Sequence, residues 1–208
     1  LSRSYLTVKG ETEQRTEIKR SEFIATIAHV EDGDAAEAFV RAVRKRYSDA
    51  THNCYAYIAD DRAVETRFSD DGEPGGTAGQ PMLEVLRRRG LVKTAVVVTR
   101  YFGGIKLGAG GLVSAYADSV ARAADAAETV RMTECAEIAF ECDYPDHPVL
   151  EQALSRAGGK RTETGYGERV TASWCFETDK AEKAIALIAE TTSGRVTARI
   201  VGARFEAM

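Results

Sequence analysis

Apolar positions along the chain change their period several times, and each change marks an element. Residues 18–30, "IKRSEFIATIAHV", are rich in β-branched and aromatic residues and end at "EDGD", which predicts a strand and then a helix capped at Asp32 or Asp34. That helix is expected to run to about Ser48, with Ala36, Phe39, Val40, Val43 and Tyr47 on one core-facing stripe. "HNCYAYIA" and "AVETRFS" read as a hairpin turning at "DDR". In "PMLEVLRRRG", Pro81 suits a first helical turn and Gly90 suits the stop. The run Ala95 to Thr99 within "LVKTAVVVTRYF" is apolar without alternation, so it predicts a strand covered on both faces or buried inside a sheet. A helix follows, with Leu112, Val113, Tyr116, Val120 and Ala124 on one side, fading by about Val130.

From Thr133 the pattern restarts as strand, helix, strand, strand, helix, strand, the β-α-β-β-α-β order of ferredoxin-like domains. Within it "VTASWCF" alternates, placing Val170, Ala172, Trp174 and Phe176 on one face and Thr171, Ser173 and Cys175 on the other. The fold class is therefore α+β in two domains, residues 1–131 and 133–208.

Composition narrows the function classes. With 208 residues, 44% of them hydrophobic, the chain can fill one large core or two smaller ones. No stretch approaches the roughly 20 apolar residues of a membrane span, and "LSRSYLTVKGETEQRTE" lacks the apolar segment of a signal peptide. The expectation is a soluble, cytoplasmic protein with no membrane contact. Cys54, Cys135, Cys142 and Cys175 are scattered, with no C-x-x-C pair and only three histidines, so reduced, buried thiols are expected and a zinc ribbon is not. A formal net charge of −4 supplies no broad cationic field, so any RNA contact has to be local. Two basic clusters, "RAVRKRY" at 41–47 and "RRR" at 87–89, fall on predicted helices, where a solvated face explains them.

The chemistry of the chain concentrates in two glycine-rich helix entrances. "GGIKLGAGG" at 103–111 opens one helix, and "SDDGEPGGTAGQP" at 69–81 opens another. A helix N-terminus offers unpaired amide N–H groups and partial positive charge, and glycines allow an anion to approach the backbone. Neither nucleotide motif is present, because Gly103 to Gly108 is followed by neither Lys nor a hydroxyl, and Val113 stands where a dinucleotide fingerprint needs its third glycine. Two readings stay open: an anion pocket, or glycines that merely supply positive φ and close packing. Gly75, Gly76, Thr77 and Gly79 of the first entrance and Gly103, Gly104, Gly108, Gly110 and Gly111 of the second, with Arg100 and Lys106, are the candidate anion- or RNA-binding residues.

Asp70, Asp71 and Glu73 repel a phosphate unless a cation intervenes, and "SDDGE" does not have calcium-loop spacing. An Asx-type turn accounts for them, with a magnesium role as the alternative. His52 and Cys54 lack an acidic partner in sequence and make no recognisable metal or thiol-nucleophile set. Tyr101 and Phe102 either stack bases or pack at a strand end. No catalytic residue, metal or cofactor is assigned. His52, Asp70, Asp71, Glu73 and Tyr101 are secondary candidates.

"KRSEFIA", "ATHNCYAY", "RFSDDGEPGGTAGQPMLEVL" and "VVVTRYFGGIKLGAGGLVSAYADSV", in this order and spacing, resemble the YigZ/IMPACT family in its bacterial two-domain form. The resemblance implies an N-terminal α/β sandwich like a ribosomal-protein domain and domain IV of elongation factor G. It also implies a C-terminal ferredoxin-like domain similar to domain V of that factor. Eukaryotic relatives restrain a kinase that shuts down translation initiation, using an extra N-terminal partner-binding domain. The shared motifs here begin at about Lys19, so that partnership is not carried over. Two positions depart from the bacterial pattern, Asn53 where a second His is frequent and Gly75 where Ser is frequent, and both weaken metal or hydroxyl chemistry.

The expected function is a non-enzymatic, translation-associated regulator binding RNA or the ribosome through the glycine-rich helix entrances. The rivals are a small-molecule phosphotransferase or other nucleotide-binding enzyme, since metabolite kinases of the same superfamily fold bind ATP at a glycine-rich loop, and a module that docks a protein partner through the C-terminal domain.

Overall fold

In the computed structural model, which describes residues 3–207, the chain divides into two units. The first runs from Tyr5 to Val130, and the second joins the residues up to Ser4 with those from Arg131 onward. The chain begins with strands β1 (Ser4–Val8), β2 (Glu11–Ile18) and β3 (Ser21–His29), then helix α1 (Gly33–Arg46). Strands β4 (His52–Ile58) and β5 (Thr66–Ser69), helix α2 (Gly79–Arg88), strand β6 (Thr94–Tyr101) and helix α3 (Ala109–Ala126) follow. The remainder comprises β7 (Thr129–Cys142), α4 (His147–Arg156), β8 (Lys160–Tyr166), β9 (Val170–Glu177), a 3₁₀ turn, α5 (Ala181–Thr191) and β10 (Ala198–Ala207).

The sheet of the first unit has the order β2-β3-β6-β4-β5 with antiparallel neighbours throughout. Strand β6 is central and buried from Thr94 to Arg100, which is why its apolar run does not alternate. On one face Ala95, Val97 and Tyr57 pack with Ala36, Val40 and Val43 of α1. The intervening residues Val96, Val98 and Arg100 point the other way, the face on which Phe23 meets Tyr116 of α3 edge-on, ring centroids 5.4 Å apart. The cap of α1 is Asp32, whose carboxylate accepts the Ala35 N–H at 2.8 Å.

Two boundaries differ from the sequence expectation. The strand expected over 18–30 is two strands, because Ile18 pairs with Ser21 and a two-residue turn at Lys19–Arg20 separates β2 from β3. "ETEQRTEI" has no apolar alternation because β2 lies at the sheet edge, where polar side chains are favoured. Helix α3 stops at Ala126, since Ala127 is already extended and Thr129 begins β7.

In the second unit the order β10-β7-β9-β8 is the fourth, first, third and second strand of the β-α-β-β-α-β repeat. Val170, Ala172, Trp174 and Phe176 enter one core with Leu150 and Leu154 of α4 and Ala184 and Ile188 of α5. All four cysteines are free and buried, so Cys175 is covered although it lies on the opposite face of β9. No helix among the described residues is long and apolar enough to cross a membrane.

Replacing Asp32 by Ala removes the cap of α1 and is expected to cost about 1 kcal/mol, read as a lower urea midpoint with an unchanged denaturant slope.

Candidate functional site

The first glycine-rich entrance already holds an anion, and it belongs to the chain. Asp70 Oδ2 accepts the Gly76 N–H at 2.9 Å, and Oδ1 accepts those of Ala78 at 3.0 Å and Gly79 at 2.8 Å. Burial opposes ionisation of this carboxyl, but the three amide hydrogens, from Gly76, Gly79 and Ala78, hold its pKa below the ordinary aspartate value. Thr77 is buried and its hydroxyl donates to the Pro74 carbonyl at 2.7 Å. Gly79 allows contact with the Ser69 backbone, where an added Cβ would lie 2.8 Å away. Gly75 is exposed and Gly76 takes a left-handed φ of 75°. None of these four residues lines the cleft described next.

The second entrance is open. Gly108 precedes α3 without a side-chain cap, and the first helical bond runs from Leu112 N–H to the Gly108 carbonyl at 2.9 Å. The amides of Ala109, Gly110 and Gly111 therefore lack intrahelical acceptors. Lys106 is exposed and carries no ion pair among the described residues. It lines a cleft of about 420 Å³ together with Pro74, His52, Glu73, Arg100 and Phe102. In this cleft the two glycine segments meet where Glu73 and Pro74 of the first approach residues 106–109 of the second.

Beneath that cleft lies a buried charge pair. Arg100 and Glu73 are 5% and 8% exposed, and the guanidinium donates to Glu73 Oε1 at 2.6 Å. The Tyr116 hydroxyl donates to the same oxygen at 2.7 Å, while His52 Nε2 lies 3.9 Å from Oε2. His52 Nδ1 is 2.8 Å from the Asp71 carbonyl, which can only accept, so that nitrogen carries a proton. Asp71 itself accepts from Arg44 and from the Asn53 amide, both at 2.6 Å. Cys54 donates its thiol to the Asp70 carbonyl at 3.0 Å, and burial pushes its pKa up to about 12. It is a protonated packing residue and not a nucleophile.

Arg100 is thus neutralised by its own chain instead of waiting for a phosphate. Its guanidinium lies between the rings of Phe23 and Phe102, 5.4 Å from each centroid. Phe102 is 47% exposed, a surface aromatic and not a core residue. Tyr101 donates its hydroxyl to Asp49 at 2.8 Å, and this hydrogen bond raises its pKa to about 12. Gly103 is required by close approach, since an added Cβ would lie 1.9 Å from the Arg20 carbonyl oxygen. Gly104 and Gly108 take left-handed φ values of 83° and 76°, Gly110 is exposed, and Gly111 packs against the Leu107 side chain.

The two basic clusters are largely consumed by ion pairs. Arg41 pairs with Glu37, Arg44 with Asp71, Arg46 with Glu11, Arg87 with Glu84 and Arg89 with Asp125. Among the described residues no group of three His, Cys, Asp or Glu side chains is placed to hold a metal. Sequence reasoning missed Tyr116 and Ser21 as polar partners. Tyr116 reads as one more apolar stripe position, and Ser21, which accepts from Gly103 N–H and Arg100, is masked inside a presumed strand.

A first unit of this topology, with two glycine-rich entrances on one face, defines a specific class. Residues 19–124 match the Impact N-terminal domain, and residues 140–195 match a domain of unknown function, DUF1949. The chain belongs to the IMPACT family. It is 43% identical over 152 residues to IMPACT family member YigZ of Escherichia coli (strain K12), covering 72% of this chain and 74% of that protein. It is 41% identical over 180 residues to IMPACT family member YvyE of Bacillus subtilis (strain 168), covering 86% and 81%. A solved structure titled as the crystal structure of a hypothetical protein aligns over 97% of this chain and 99% of its own, at 36% identity and a TM-score of 0.64.

Two substitutions test this site. Asp70 has a folded pKa below its unfolded value, so its contribution to stability is complete above the ordinary carboxylate range and is lost as pH falls through the folded value. Asp70→Asn is expected to unfold at lower urea than wild type at pH 7, with the gap closing below about pH 4. Glu73→Gln leaves Arg100 buried without its counter-charge and is expected to cost about 3–5 kcal/mol in the same assay.

Proposed function

We propose that the chain is a non-enzymatic, translation-linked regulator that contacts RNA, free or on the ribosome, through the entrance of α3. Membership of the IMPACT family supports a translation-linked role in general. The observation that favours RNA contact is the pairing of an uncapped helix N-terminus with Lys106, a cation without an ion pair among the described residues, at the mouth of one cleft. Such an arrangement attracts phosphate oxygens through amide hydrogens and a mobile positive charge.

The proposal uses fewer residues than the sequence candidates. In this reading the α2 entrance has a structural role, which the three amide hydrogen bonds to Asp70 support, and Arg100, paired with Glu73, lies against Phe102 and does not itself hold phosphate. A net charge of −4 confines attraction to this patch. The phosphotransferase reading loses ground on the same facts, because Asp70 and Asp71 are engaged by backbone and Arg44, and the Thr77 hydroxyl is committed to Pro74. A magnesium ion there would have to compete with these hydrogen bonds for the two carboxylates.

Ribosome pelleting at low salt is the direct test. Wild type is expected to co-sediment, and Lys106→Ala to weaken association, lowering the slope of log affinity against log salt by about 0.7–0.9 for the one contact removed. Absence of association at any salt, together with a thermal shift from Mg-ATP and none from RNA, sinks the proposal in favour of a nucleotide-binding enzyme.

A further inference from the structure

Most arginines of the first unit are tied to carboxylates, but Lys19 and Arg20 share with Lys106 the absence of any ion pair among the described residues. Lys19 and Arg20 form the whole turn between β2 and β3, both exposed and both left-handed, with φ of 47° and 64°. A two-residue turn with positive φ at both positions favours Asn-Gly, and L side chains there are strained. Strain of this kind persists where the surroundings enforce it and where the side chains have a use.

The surroundings do enforce it. Gly103 abuts the Arg20 carbonyl, and the Gly103 N–H donates to Ser21 Oγ at 3.1 Å. The turn is therefore locked to the glycine loop that carries Lys106. Between them stands Phe102, half-exposed, with its ring against the guanidinium of Arg100, which Phe23 backs in turn. Phe102 borders two clefts: the one that holds Lys106, and another of about 530 Å³ lined by Arg20, Arg15, Tyr101, Glu17 and Glu22. Arg15 in this second cleft is already paired with Glu13 and Glu22. The carboxylates disfavour a phosphate inside it but not a base.

We infer that Phe102 is a stacking platform for one unpaired base of single-stranded RNA, with Lys19 and Arg20 on one side and Lys106 on the other holding the flanking phosphates. This rests on the RNA reading above and narrows it. An exposed aromatic ring flanked by free cations suits a strand whose bases can be splayed out, whereas the bases of a duplex are stacked on one another and unavailable.

The test uses the full chain and fluorescence anisotropy with a labelled 12-nucleotide oligouridylate and a duplex RNA of the same length. Wild type is expected to prefer the single strand. Lys19→Asn/Arg20→Gly converts the turn to its favoured residues, so this variant is expected to melt no lower than wild type. It should bind the single strand about tenfold more weakly, with a salt slope smaller by about 1.4 for two lost contacts. Phe102→Leu is expected to lose about tenfold in affinity with the salt slope unchanged. Wild-type binding by both variants, or equal binding of single strand and duplex, overturns the platform while leaving RNA contact standing. No binding of either RNA or of ribosomes overturns both.

Discussion

The buried pair of Arg100 and Glu73 is the interaction around which the first unit is arranged. A charge pair withdrawn from water costs free energy unless hydrogen bonds offset it, and four segments supply the pair and its partners here, with only the Arg100 Nε–H left unpaired within the pair. Strand β6 brings the guanidinium, the first glycine segment brings the carboxylate, α3 brings the Tyr116 hydroxyl and the start of β3 brings Ser21. Each contact ties one element to another, and Pro74 and the loop before α3 line one cleft above the pair. The same guanidinium lies 5.4 Å from the ring centroid of the half-exposed Phe102.

Two helix entrances of similar glycine content end with opposite chemistry. The difference is one residue: Asp70 precedes the first entrance at a distance that lets its carboxylate fold back onto three amides, and no acidic residue lies between Tyr101 and Leu112 to do so for the second. Glycine content gives a backbone permission to receive an anion. Whether the anion comes from the chain or from a partner depends on the neighbouring carboxylates.

Much of the fold was legible because local burial writes a period into the sequence. The unalternating run in β6 reports a central strand, and the alternation in β9 names Val170, Ala172, Trp174 and Phe176 as core. Strand β2 was illegible because an edge strand is held by backbone pairing, which leaves no apolar period in "ETEQRTEI". The candidate site was legible only as a region. That Arg100 is spent on Glu73, and Asp70 on the amides of α2, are facts of tertiary proximity that neither spacing nor composition carries. The Lys19–Arg20 turn went unread for a related reason, since its residues are not those that two-residue hairpins favour.

The central position of β6 has a consequence for how the protein comes into being. Its partners β3 and β4 were made long before it, and pairings such as Ser21's neighbour Glu22 with Tyr101 span most of the first unit. The early hairpins have no stable sheet to join until residue 101 has emerged, and synthesis adds only about 5–20 residues per second. For several seconds the nascent chain holds apolar strand edges with nothing to pair them, and closure is then governed by long-range contacts, the slow regime of folding. This strand order leaves those edges unpaired for as long as the chain between β4 and β6 takes to be made.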